Sequence, residues 1–335
     1  MAVGILLVGG FGSRLMPLTK NTPKPMLTIA GLPVTEHQLA MARKAGITTL
    51  VLATSYLSEL FTPYFGDGSK WGMKLLYAFE DTPLGTGGAI ANAALLLNSD
   101  ETIVVFNGDV LSSHNLTEQI RQHESNDADV TLHLTPVADA RAYGCVPMNS
   151  DGRVTDFLEK MDEPITNNIN AGCYVFKSKI VRSIPLKTVI SVEREIFPLL
   201  ISQNKRVFGF LDDSYWLDIG TPTALLKGSC DLVNGLADSS ALLMADVERH
   251  DHQGLVMSTA VVNENAIIER GSSISAGAII GSGSRISGSI IERGAMIGSG
   301  ATVIDSFVAS GAHVGVDAQI RLSFVTKEEI LTIPE

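Results

Sequence analysis

Val262, Ile268, Ile274, Ile280 and Ile286 recur every six residues; after one five-residue step come Ile291, Ile297 and Val303, and after another Val308, Val314 and Ile320. This spacing excludes the ordinary elements, because a helix repeats near 3.6 residues and a half-buried strand repeats every two. Small residues fill the intervals, as in "SISAGAIIGSGS" and "MIGSGA". One aliphatic per six residues fits a solenoid of short parallel strands, three to a triangular coil, with the aliphatics stacked inside and glycines at the corners. Eleven such positions make nearly four coils.

The chain before about Leu232 has a different rhythm. Val3 to Val8 is a wholly apolar run suited to a buried parallel strand, Val34 to Ala45 has helical spacing, and Thr49 to Thr54 reads as a strand. Lys74 to Phe79 is strand-like, Gly85 to Leu97 is a helix of small residues, and Thr102 to Phe106 is a strand ending at Asn107-Gly108-Asp109. Strand, crossover helix, strand is the pattern of a doubly wound α/β domain, whose ligands bind beyond the carboxyl ends of the strands. A hydrophobic content of 45% against 18% charged residues describes a globular chain with a substantial core. The net charge of −11 argues against a nucleic-acid partner, and no stretch reaches the roughly 20 apolar residues of a membrane span. Cys145, Cys173 and Cys230 lack metal-ligand spacing and read as reduced thiols of a cytoplasmic protein.

The segment "GGFGSRLMPLTKNTPKP" follows the first strand directly. Gly9, Gly10 and Gly12 let the backbone approach a ligand closely, so that successive N–H groups can face phosphate oxygens. Arg14 and Lys24 add two cations, and Pro23 and Pro25 stiffen the chain around Lys24. Leu15 stands where a dinucleotide fingerprint needs its third glycine, and neither Lys20 nor Lys24 has P-loop spacing. The combination points to a nucleoside triphosphate.

This segment resembles the signature GGxGTRLxPLT…PKP of the sugar-1-phosphate nucleotidyltransferases, with Ser13 for the usual threonine and Met16 where a second basic residue often stands. The repeat resembles the hexapeptide-repeat left-handed β-helix. The resemblance implies a Rossmann-like, doubly wound α/β nucleotidyltransferase domain over 1–240, then a left-handed parallel β-helix over 250–335. It further implies that Leu7, Gly9, Gly10, Gly12, Ser13, Glu80, Gly85 and Asp109 bind the nucleotide, with Arg14 and Lys24 on the phosphates. Asp109 of "FNGDVLS" and Asp218 of "YWLDIGTP" are the implied catalytic Mg²⁺ ligands. Gly144 of "YGCV", Glu159 and Lys160 of "FLEKM", and Asn170 of "NINAGCYVF" are the implied sugar-phosphate contacts, although Met161 replaces a common proline. "SVEREIFP" matches the family as a block.

The implied reaction transfers a nucleoside monophosphate from an NTP to a sugar 1-phosphate and releases pyrophosphate. The thymidylyl and uridylyl members of the family commonly carry a base-contacting glutamine where Glu80 stands in "FEDTPLGTGGAIANA". A carboxylate only accepts hydrogen bonds, and guanine offers N1–H and N2–H₂ side by side, whereas thymine and uracil flank one N–H with two carbonyls. Glu80 therefore selects GTP, and the whole-chain similarity implies mannose 1-phosphate as acceptor and GDP-mannose as product. Glucose or heptose 1-phosphate is the alternative acceptor, and a non-catalytic regulatory paralogue is the alternative class. Acyl transfer of the kind other hexapeptide proteins perform needs a histidine base, and the repeat holds only His313, with His250 and His252 just before it. The β-helix is therefore expected to mediate homo-oligomer contacts or regulation.

Overall fold

The computed structural model describes residues 2–98, 100–251 and 253–333, so His252 lies outside the described residues. Packing divides the chain into two compact units that interleave along the sequence. One contains 1–10, 41–110 and 114–216; the other contains 11–40, 111–113 and 217–335. The chain passes between them five times, and three of the crossings, Gly10/Phe11, Val110/Leu111 and Trp216/Leu217, fall inside quoted motifs.

The first unit is built on a seven-stranded sheet of Ala2–Leu7 (β1), Thr49–Thr54 (β2), Lys74–Phe79 (β3), Thr102–Asn107 (β4), Val130–Pro136 (β5), Asn168–Phe176 (β6) and Val207–Leu211 (β7). Its order is β7-β5-β6-β4-β1-β2-β3. β1 lies parallel to both β2 and β4, with Leu7 opposite Ala53 on one side and Asn107 on the other. β6 runs antiparallel to both β4 and β5, so the doubly wound pattern is interrupted by one reversed strand. The helix Val34–Lys44 (α1) forms where its periodicity predicts. The small-residue helix Gly85–Ala94 (α2) buries Ile90, Ala91, Ala93 and Ala94 against Val3, Ile5, Val51 and Val105. Its last expected turn closes with three-residue steps, Leu95 N to Asn92 O and Leu97 N to Ala94 O, so α2 ends before Leu97. Asn115 caps the next helix, Leu116–Ser125 (α3), by accepting from Glu118 N.

The second unit carries the predicted parallel β-helix. One face is the parallel series Gly254–Met257, Ser272–Ile274, Ile290–Ile291, Phe307–Val308 and Ser323–Val325, edged by antiparallel Val247–His250 and Ile330–Thr332. The other two faces hold four parallel strands each. All eleven periodic aliphatics point into one core except Val262, which is exposed at the opening coil. The register explains the five-residue steps. Val256 pairs with Ile274 across the first coil, but Ile274, Ile291, Val308 and Val325 then pair at intervals of 17. The missing residue always comes from the same corner. The full corner spends two left-handed residues, Arg270 and Gly271, and the short corners spend one each, Gly288, Asp305 or Leu322.

A buried serine ladder runs up that corner. Ser272 Oγ accepts from Ser289 N, Ser289 Oγ from Ser306 N, and Ser306 Oγ from Ser323 N, each at 3.1 Å. Each hydroxyl donates to a backbone carbonyl, so a corner too tight for strand pairing still satisfies its N–H groups. The helix Pro222–Val233 (α4) packs on this face, where Ser229 Oγ lies 3.2 Å from Ser273 Oγ and accepts from Ala30 N at 2.9 Å. Ser306→Ala orphans a buried N–H and is expected to destabilise the protein by about 1–3 kcal/mol in urea unfolding, against under about 0.5 kcal/mol for exposed Ser282→Ala.

Candidate functional site

In the first unit, Gly108 N donates to Leu7 O at 2.9 Å. A Cβ on residue 108 would lie 2.3 Å from that oxygen, so only glycine lets the ends of β1 and β4 meet. Asp109 is thereby held two residues beyond the end of β4, half-buried. Val8 N continues the strand pairing to Ala53 O, and Ser55 Oγ donates to Gly9 O at 2.6 Å, which pins the loop as it leaves β1. Glu80 follows β3. Its Oε2 accepts from Leu84 N at 3.2 Å, while buried Oε1 has no hydrogen-bond partner among the described residues. Burial pushes the Glu80 carboxyl above its ordinary pKa of 4.5. Gly85 then opens α2.

The sugar candidates also gather in this unit. Gly144 O accepts from Asn170 N at 2.9 Å. The Asn170 side chain accepts from Gly172 N at 3.1 Å and donates to Tyr174 Oη at 2.9 Å. Glu159 is half-buried and lies 3.8 Å from Arg194, while Lys160 is exposed. Three neighbours escaped the sequence reading: Tyr174, Glu193 and Trp216, whose Nε1 donates to Ala171 O at 2.9 Å. Each lies in a quoted block, Tyr174 in "NINAGCYVF", Glu193 in "SVEREIFP" and Trp216 in "YWLDIGTP", which was the signal available.

In the second unit, Gly12 has φ +61°, and its carbonyl accepts from Leu15 N and Thr19 Oγ1, both at 2.9 Å. Lys24 packs against it: a Cβ on residue 12 would lie 3.0 Å from Lys24 Cβ. The Pro-Lys-Pro turn closes through Met26 N to Pro23 O, and Thr35 Oγ1 donates to Pro25 O. Only 7% of Lys24 is exposed, so this ammonium is largely withdrawn from water, whereas Ser13 and Arg14 are exposed. Gly220 N donates to Asp218 Oδ1 at 2.8 Å. A Cβ at Gly220 would lie 2.5 Å from Arg14 Nη2 and 2.8 Å from Asp218 Oδ1. The fold thus seats Arg14 and Asp218, over two hundred residues apart in sequence, around one glycine.

Among the described residues no group of three or more His, Cys, Asp or Glu side chains could hold a metal by itself. Asp109, in the first unit, and Asp218, in the second, each carry hard carboxylate oxygens, the donor chemistry that suits a divalent cation.

Residues 3–235 match the family model described as nucleotidyl transferase. The mannose-1-phosphate guanylyltransferase of Mycobacterium tuberculosis (strain ATCC 25618 / H37Rv) is 47% identical over 287 residues, 85% of this chain and 78% of that protein. Mannose-1-phosphate guanylyltransferase 1 of Arabidopsis thaliana is 33% identical over 287 residues, 84% of this chain and 79% of that one. Among solved structures, HddC from Yersinia pseudotuberculosis superposes with a TM-score of 0.59 at 28% identity, covering 68% of this chain and 98% of that one. A second HddC structure, complexed with GMP-PN, gives 0.58 with the same coverage.

Gly220→Ala drives a methyl group into both Arg14 and Asp218. It is expected to weaken nucleoside triphosphate binding about tenfold, the value of one charged hydrogen bond, in isothermal titration.

Proposed function

Because the chain belongs to the nucleotidyl transferase family, we propose that it moves GMP from GTP onto mannose 1-phosphate, giving GDP-mannose and pyrophosphate. The observation that carries the guanine choice is the buried, partnerless Oε1 of Glu80. Among the described residues it has no donor to accept from, and guanine supplies two adjacent donors. The acceptor sugar is taken from the relatives named mannose-1-phosphate guanylyltransferase.

A sugar-phosphate oxygen attacks the α-phosphorus in line, an O–P bond forms, and the bond to the pyrophosphate oxygen breaks. The attacking oxygen is already ionised near neutral pH, so no general base is required. Both reactants are anions, and catalysis consists of holding them together and matching the charge that develops. Gly9, Gly10, Gly12 and Ser13 present backbone N–H groups to the triphosphate, with Leu7 and Gly85 flanking the base and ribose. Arg14 and Lys24 stabilise the leaving pyrophosphate. Lys24 acts from a nearly dry site, where its attraction for phosphate is least screened. Asp109 and Asp218 would hold Mg²⁺, which when bound neutralises charge at the α-phosphate. Gly144, Glu159 and Asn170 take the sugar hydroxyls, and Lys160 takes the sugar phosphate.

The same reading places the enzyme in the cytoplasm. The three cysteines are free, and among the described residues no helix is long and apolar enough to cross a membrane. It also assigns homo-oligomer assembly to the β-helix. Val261, Ile279 and Met296 stand one above another in register on a face of the solenoid, 51%, 43% and 43% exposed.

The test is pyrophosphate release across four NTPs and mannose-, glucose- and heptose 1-phosphates with Mg²⁺. Turnover confined to GTP with mannose 1-phosphate is expected, and preference for UTP or dTTP would sink the base assignment. Lys24→Ala should lower kcat by roughly 100- to 1,000-fold in the same assay. Glu80→Gln should cut the preference for GTP over UTP about tenfold or more. Base recognition needs ionised Glu80, whose pKa burial raises. KM for GTP should therefore climb as pH falls toward that raised value from neutrality, and Glu80→Gln should flatten the climb.

A further inference from the structure

The block "SVEREIFP" occupies residues 191–198. We propose that Glu193 is a positioning residue that fixes which edge of the Asn170 amide faces the sugar and links that choice to Thr86 in the nucleotide segment; the inference rests on the guanylyl-transfer reading above.

Val192–Ile196 forms a single wide π-helical turn capped by Ser191, a local irregularity that recurs at functional sites. The Glu193 carboxylate accepts three hydroxyl donors: Thr86 Oγ1 at 2.6 Å, Ser191 Oγ at 2.9 Å and Tyr174 Oη at 3.3 Å. Backbone N–H groups hold two of those hydroxyls in place, Val192 N on Thr86 and Arg194 N on Ser191. Tyr174 is fully buried, and burial together with Glu193 keeps its phenol protonated. A carboxylate cannot donate, so the one phenolic proton goes to Glu193.

Tyr174 Oη is then left only as an acceptor, and it accepts from Asn170 Nδ2 at 2.9 Å. Asn170 Oδ1 faces Gly172 N–H at 3.1 Å, which forbids the flipped amide. The polarity of the chain is set end to end. Asn170 retains its second Nδ2 hydrogen, and this is the donor it presents to a sugar hydroxyl. The next residue of the same turn, Arg194, lies 3.8 Å from Glu159, the other polar side chain assigned to the sugar. On the opposite side Thr86 follows Gly85 directly, and Gly87 N donates to Ile190 O at 2.9 Å. One turn therefore contacts Thr86 of the nucleotide segment and Glu159 directly, and reaches Asn170 through Tyr174.

Glu193→Gln puts a donor where three hydroxyls already donate, which reverses the phenol and sets the Asn170 amide against Gly172 N–H. The KM for the sugar 1-phosphate should rise about tenfold, the loss of one buried hydrogen bond, while the KM for the nucleotide moves less than about twofold. Tyr174→Phe should produce the same split, and the double variant should be no worse than the poorer single one, because the three side chains act as one network. Thr86→Val should also raise the KM for the sugar 1-phosphate, a readout that a purely local nucleotide contact would not move. Glu193→Asp keeps an accept-only group and should stay nearer the wild type than Glu193→Gln, with thermal melting run on every variant. Equal rises in both KM values, additive effects in the double variant, or Asp behaving worse than Gln would each overturn the proposal. The assays use whichever nucleotide and sugar 1-phosphate the wild type turns over fastest, so a wrong substrate assignment changes the pair and leaves this test intact.

Discussion

The hydrogen bond from Gly108 N to Leu7 O is the constraint on which the strand-end rim of the first unit's sheet depends. It joins the carboxyl ends of the two central parallel strands, β1 and β4, at a distance no side chain at residue 108 would allow. Everything that leaves the sheet there inherits its direction from this contact. The glycine loop departs past Gly9, held by Ser55, and Asp109 is carried to the rim. A parallel sheet leaves its strand ends as the natural place for a ligand, because the crossover helices cover both faces. Here that general rule becomes specific because one glycine brings two strand ends into direct contact.

The second unit shows a different economy. Its coils shorten from 18 to 17 residues by dropping one left-handed residue at one corner, and the serine ladder satisfies the N–H groups left over. The segment that follows the Pro-Lys-Pro turn rests on this solid support. Thr28 Oγ1 donates to Glu292 at 3.0 Å, Ala30 N donates to Ser229, and a Cβ at Gly31 would touch Met257. Glu292 is buried with its carboxyl pushed above the ordinary range by loss of hydration, yet it accepts from both Thr28 and Ser310 N. A buried, partnered carboxylate of this kind specifies a register more than it adds stability. Phe11–Ala40 consequently belongs by packing to the unit that contains the solenoid, although it lies next to β1 in sequence.

Much of this was legible in the chain. The six-residue spacing of Val262 through Ile320 specified the solenoid, because an aliphatic every sixth position has no other regular way to be buried. The glycine, arginine and Pro-Lys-Pro motifs, with "FNGDVLS" and "YWLDIGTP", marked the family resemblance, since residue types at fixed spacing carry that information directly. The serine ladder was not legible: Ser289, Ser306 and Ser323 are 17 residues apart and look like ordinary small corner residues until the coils are stacked. Nor was the reversal of β6, whose apolar run is compatible with either direction. The meeting of Arg14 with Asp218 at Gly220, and the network from Thr86 through Glu193 and Tyr174 to Asn170, depend on contacts between distant segments. The sequence by itself determined which chemical groups this protein has and the period of its repeat, because composition and spacing are properties of a line. Only the tertiary structure decided which of those groups touch, which way each hydrogen bond points and which carboxylates lose their water, because these are set by neighbours that the chain brings back from far away.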